Sequence, residues 1–291
     1  MRRPAPISLA DIRHPGPAAT DRSPGMTCRA DPISLELDGG APLIEALGSF
    51  ADQKGCGSAV LDLGGLALAP FDYVMPDRAI DDRHAAWYSD TRTSGGAVLD
   101  EAVAILGWKD GQWFAHIHAC WHEGGTGHLG HLLPQTLATA EAARITGYGI
   151  KGAKFEAAED PETEFTLFRV RPDDLRASTR PHNALITTLA PFADLHDSVT
   201  ALAAALAEPD FEVFGLGSLA GAAFRETSPM TGLISEILVR SGAGKTGDTP
   251  LRLPIRGVDL EGTLHQGIVR PGTAPTLVTC ELLIRGTAVS D

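Results

Sequence analysis

Hydrophobic and polar positions along this chain of 291 residues run through one pattern, break at a charged stretch, and then begin again. Residues 1–31, rich in Pro, Arg and small side chains, are expected to form an extended arm. Leu43, Ile44, Leu47 and Phe50 then recur at helical spacing, with Gly55 placed to stop the helix. Strand character follows over 58–68, 98–106 and 112–121. Residues 139–150 fit a strand by length and flanking glycines, and a helix by their alanines. The Pro-punctuated segment 157–181 is predicted to hold a last strand at 165–170 and then a linker. Past residue 182, Asp194 can cap a helix that puts Leu195, Val199, Leu202 and Leu206 on one face.

The second round echoes the first in order. Gly215-Leu216-Gly217-Ser218 repeats Gly55-Cys56-Gly57-Ser58, and Glu236 precedes Gly242 as Glu101 precedes Gly107. His265, Gly267 and Pro271 match His128, Gly130 and Pro134. The shared order points to an internal duplication, with domains at 32–172 and 173–291 after the arm. Counted back without gaps, His116, His118 and His131 correspond to Leu253, Ile255 and Ile268, and every Trp and Tyr lies in the first copy. The expectation is one metal-bearing domain and one structural domain that has lost its site.

The histidines carry the chemistry. Five of the chain's ten fall in sixteen residues: His116, His118, His122, His128 and His131. In a strand alternate side chains share a face, so His116 and His118 point the same way, with Cα atoms roughly 6.5–7 Å apart. Two imidazoles at that spacing can reach one ion, and the glycines at 124, 125, 127 and 130 let the chain return His131 or His128 as a third ligand. His131 is preferred because it belongs to the set missing from the second copy. Cys120 shares the strand parity of the pair and is a candidate fourth ligand, whereas His122 is expected to begin the turn. Three neutral ligands would leave a coordination position open for a substrate oxygen or water, and zinc is the divalent metal best suited to them.

Glu101, Glu123, Asp81 and Asp82 are the nearest carboxylates in sequence, with Glu101 the candidate acid or base and Arg92 the candidate anchor for an anionic substrate. Trp87, Tyr88, Trp113 and Trp121 could line the pocket. Two other motifs fail. Residues 241–246 lack the first glycine of a phosphate loop, and the Gly-x-Gly-Ser pairs lack the strand–helix setting of a dinucleotide site.

Composition narrows the partners. Hydrophobic residues at 43% and charged ones at 21% describe a core-forming protein. The net charge of −13, with no Lys/Arg run, disfavours nucleic acid. Four separated cysteines without a Cys-x-x-Cys pair suit a reducing cytoplasm, and no apolar run reaches the roughly 18 residues of a membrane span. A cytoplasmic protein acting on a small molecule is expected.

The order GCGSAV, EAVAILG, AHIHACW and GHLGHLLP resembles the plant-and-prokaryote conserved (PPC) domain family. His116-Ile117-His118 matches that family's His-Leu-His, and Gly130-His131-Leu132 matches most of its Gly-Gly-His-Leu, with Leu129 in place of the first glycine. The resemblance covers roughly residues 32–170, with a divergent copy at about 182–287. It implies an α+β fold, two tandem domains each with a mixed, largely antiparallel sheet flanked by helices, trimeric assembly, and a metal on the three histidines. The fold is also similar to that of acetolactate decarboxylase and a zinc-dependent ester hydrolase. Plant members carry a basic AT-hook, and this chain has no match to it. The leading expectation is therefore a zinc-dependent lyase or hydrolase acting on a small oxygenated or carboxylated metabolite. The alternatives are a DNA-binding regulator and a metal-stapled, ligand-binding homo-oligomer.

Overall fold

The computed structural model describes residues 2–287. The class is α+β, with long, mostly antiparallel strands and two α-helices among the described residues. In the first half β1 (Gly25–Leu37) leads into α1 (Leu43–Lys54). Strands β2 (Ser58–Asp62), β3 (Ala97–Lys109), β4 (Gln112–Glu123), β5 (Thr126–Leu132), β6 (Ala143–Glu159) and β7 (Thr166–Asp173) follow. Antiparallel pairing gives the neighbour order β1-β6-β2-β3-β4-β5, and one parallel contact between Trp108 and Glu156 makes the sheet mixed.

The second half comprises β8 (Ala184–Leu189), α2 (Leu195–Ala203), β9 (Phe211–Leu219), β10 (Ser235–Val239), β11 (Pro254–Asp259), β12 (Leu264–Ile268) and β13 (Thr276–Gly286). Its neighbours run β8-β13-β9-β10-β11-β12, the order of the first half, with the helix again between the first and second strands. The halves are joined through β1: Arg29–Leu37 pair with β6, while Gly25–Cys28 pair with β8. That strand starts inside the stretch expected to be arm, because its first residues find a backbone partner in the second half.

Local sequence explains most of the elements. Gly55 ends α1 in the left-handed conformation (φ 63°), as its position predicted. Segment 139–150 resolves as strand from Ala143 onward, where Ile145, Thr146 and Ile150 are β-formers set between two neighbouring strands. The segment 58–68 breaks at Gly64-Gly65 into β2 and a two-residue strand. Helix α2 stops at Ala203, short of Leu206.

Two tight hairpins set the register that matters for function. Asp110 and Gly111 (φ 52° and 75°) join β3 to β4, and Gly124 and Gly125 (φ 58° and 82°) join β4 to β5. Two successive residues at positive φ give the turn whose twist matches paired strands. Glu123 is thereby paired with Thr126, and counting back along the ladder brings His131 opposite His118. The corresponding β11–β12 hairpin of the second half has a longer turn, in which Asp259 N–H reaches Thr263 O and Gly262 takes positive φ. Ile268 consequently faces Pro254, not the Ile255 expected from ungapped counting.

Candidate metal centre

His116 and His118 sit two apart on β4 and project from one face, and His131 projects beside His118 from β5. The three offer ring nitrogens that all lie within 4.8 Å of one another. Nε2 of His116 and Nε2 of His118 are 3.1 Å apart. Two ligands each about 2.0–2.1 Å from a tetrahedral ion stand roughly 3.3 Å apart, so the spacing fits a shared ion.

The other nitrogen of each ring is occupied. His118 Nδ1 lies 2.8 Å from the carbonyl oxygen of Ile237. A carbonyl only accepts, so this Nδ1 carries the hydrogen and Nε2 presents its lone pair. His116 Nδ1 donates to the carboxylate of Glu281, and Tyr88 Oη lies 3.0 Å from His131 Nδ1. Three imidazoles with their outer nitrogens tied down and their inner nitrogens gathered form the arrangement in which outer partners orient metal ligands. Burial holds His118 and His131 well below the usual imidazole pKa, and neighbouring histidine charge adds to the effect. Both rings are neutral near pH 7, the protonation state that metal binding requires.

The second half supplies part of this site. Glu236 on β10 and Glu281 on β13 are both buried, with Glu236 Oε1 3.7 Å from His118 Nε2. Glu236 Oε2 is buried with no hydrogen-bond partner among the described residues. Burial raises its pKa to about 8. Desolvation, reinforced by Glu236 and Glu281, also keeps the Tyr88 phenol protonated well above its ordinary range. The second half of the chain, expected to be purely structural, thus walls and orients the histidine cluster.

Above the histidines opens a cavity of about 410 Å³. Its walls are mostly apolar, including Trp87, Phe114, Phe165, Phe168 and Leu277. Gly107 makes room for one of them: a Cβ there would meet the Phe168 ring at 2.8 Å and Phe155 O at 2.5 Å. Residues 76–88 close one side through a short ribbon that pairs Pro76 with Tyr88 and Asp77 with Trp87. Trp87 and His84 pack on Phe165 at centroid distances of 5.4 and 4.9 Å, and Arg2 reaches Asp77 at 3.1 Å from the N-terminal segment.

Of the residues singled out from sequence, the structure brings together His116, His118, His131, Trp87 and Tyr88. The others lie elsewhere. Glu101 accepts two strong hydrogen bonds from Arg240, at 2.6 and 2.8 Å, and has Arg256 at 3.6 Å; these lower its pKa against the opposing effect of burial. It bridges the halves outside the pocket. Arg92 is exposed on a short strand paired with Phe71–Val74. Trp121 has the opposite strand parity to the histidines, so it faces the core, where it packs on Phe71 and Tyr73 and stacks with His128. Trp113 packs at a tilt against Trp108, outside the cavity lining, and Glu123 accepts from the Gly95 amide. Cys120 lies outside the cluster, its thiol pushed up to about 11 by burial. Asp81 receives the backbone and ring N–H groups of His84.

No family model and no curated protein matches the chain. Among solved structures, a metal-containing protein from Archaeoglobus fulgidus is 21% identical, with a TM-score of 0.38, over 49% of this chain and 96% of its own. A plant- and prokaryote-conserved (PPC) protein from Pyrococcus horikoshii is 17% identical, with a TM-score of 0.36, over 49% of this chain and 94% of its own. Each likeness takes in about half of this protein. No helix among the described residues is long and apolar enough to cross a membrane.

Proposed function

We propose that this protein is a zinc-dependent enzyme of the lyase or hydrolase type, acting on a small oxygenated or carboxylated metabolite. The observation that carries the reading is the pairing of three occupied Nδ1 positions with convergent ring nitrogens, two of them Nε2 atoms 3.1 Å apart. His116, His118 and His131 would hold the ion, which supplies Lewis-acid polarisation of a substrate oxygen.

The chain's own groups do the rest. Glu281 and the Ile237 carbonyl orient two of the ligands, and Tyr88 the third. Glu236, free at Oε2 and facing the cluster, accepts or returns a proton at the reacting group; a carboxyl whose pKa burial raises to about 8 suits either direction. The apolar walls exclude bulk water from the reaction. The repeated order of strand neighbours supports descent from a duplicated PPC-like domain, in which the first copy kept the ligands and the second became their support. A compact homo-oligomer in the cytoplasm, a trimer by family resemblance, completes the proposal.

Elemental analysis of purified protein tests the reading. One zinc per chain is expected, and it should be lost in His118→Ala while the far-ultraviolet circular dichroism stays unchanged. A variant that keeps its zinc would refute the assignment.

A further inference from the structure

Among the described residues, Lys109 is the one lysine or arginine lining the cavity. It ends β3, opposite Gln112, and none of the ion pairs among the described residues includes it. Its Nζ lies 5.1 Å from the Phe114 ring centroid, so the ammonium rests on an aromatic face that points into the cavity.

The strand register measures its distance from the histidines. Phe114 precedes His116 by two residues on the same face of β4, which is roughly 6.7 Å along the strand. The ammonium therefore stands beyond Phe114 from the metal position, in a cavity whose walls also include Phe168, Trp87 and Leu277. The opposite end carries the carboxyl groups of Glu236 and Glu281, the latter already paired with His116, and among the described residues no lysine or arginine. Charge is thus polarised along the cavity: acids and metal ligands at one end, and the Lys109 ammonium beyond Phe114, among mostly apolar walls.

From this polarity we infer that the substrate is an amphipathic carboxylate. One oxygen-bearing end meets the metal position, an aryl or alkyl body fills the apolar cavity, and a carboxylate roughly 7–10 Å away pairs with Lys109. The inference deepens the metal-enzyme reading and rests on it. Lys109 acts as a specificity-determining residue.

The test uses two chelating probes of matched length on the full, zinc-loaded chain: suberic acid monohydroxamate, which ends in a carboxylate, and octanohydroxamic acid, which ends in a methyl group. Isothermal titration calorimetry compares their dissociation constants in the wild type, Lys109→Met and Lys109→Arg. Methionine keeps the contact with Phe114 and removes the charge. Lys109→Met should weaken the carboxylate probe about fivefold, the scale of one partly screened ion pair, and move the neutral probe by less than about twofold. Lys109→Arg should restore the preference. If both probes change together in Lys109→Met, or neither changes, the inference is overturned while the metal site stands. If the neutral probe fails to bind zinc-loaded wild type, the metal reading falls and takes this one with it.

Discussion

Replacing Glu281 by Gln should weaken zinc binding without disturbing the fold, although Glu281 is 165 positions from the histidine it orients. The side chain is 1% exposed, and its carboxylate receives the Nδ1 hydrogen of His116. Glutamine has the same shape and can still accept that hydrogen through its amide oxygen, so the ring should keep its orientation. What is lost is the negative charge that makes Nε2 a stronger donor to a cation. Changes at such outer partners typically reduce metal affinity roughly 10–100-fold, or about 1.4–2.7 kcal/mol. Competition against a chromophoric zinc chelator measures this directly. Glu101→Gln, which alters a carboxylate between the two halves but outside the cavity, serves as the control and should leave zinc affinity unchanged. Wild-type zinc affinity in Glu281→Gln, or an equal loss in Glu101→Gln, would refute the idea that the second half of the chain tunes the site.

Three other outcomes follow from the same geometry. In metal-free protein the raised pKa of Glu236 means the folded state holds a proton that the unfolded chain releases above its ordinary value of 4.5. That contribution is fully present below about pH 4.5 and is lost as pH rises through about 8, so urea unfolding should show Glu236→Gln removing a decline in stability between pH 6 and 8; an unchanged pH slope would contradict it. His118 and His131 act in the opposite direction: the unfolded chain takes up protons that the folded rings refuse, so metal-free stability should fall as pH drops below about 6.5, less so in His131→Gln, and a matching slope in that variant would count against their burial as neutral rings. Gly125→Val forces a β-branched residue to φ 82°; it should cost about 1–2 kcal/mol by thermal unfolding and weaken zinc binding through the β4–β5 register, and wild-type values for both would sink the role given to that turn.

How far the sequence reached differs from one part of the site to another. The three histidines were legible because strand parity and a Gly-Gly turn are local rules: one fixes the shared face and the other the return register. The same parity rule excludes Trp121, an odd-numbered residue on a strand whose even-numbered face holds the ligands. Glu101 and Arg92 were singled out for closeness along the chain, and an antiparallel sheet does not preserve that closeness in space. Glu236 and Glu281 were out of reach of local reasoning, since each comes from the other half of the molecule. Their one sequence signal is a lone acid inside an apolar run, Ile-Ser-Glu-Ile-Leu-Val and Val-Thr-Cys-Glu-Leu-Leu-Ile, where an unpaired carboxylate would be costly without a purpose. The one-residue displacement between the hairpins was also hidden, because turn length sets register and ungapped counting assumes both turns are equal.

The most direct test is anomalous diffraction at the zinc edge from crystals of the zinc-loaded protein. A single peak about 2.0–2.1 Å from the Nε2 atoms of His116, His118 and His131 is the expected result. A peak at other residues, or those three rings fully ordered in zinc-soaked crystals with no anomalous density between them, would contradict it.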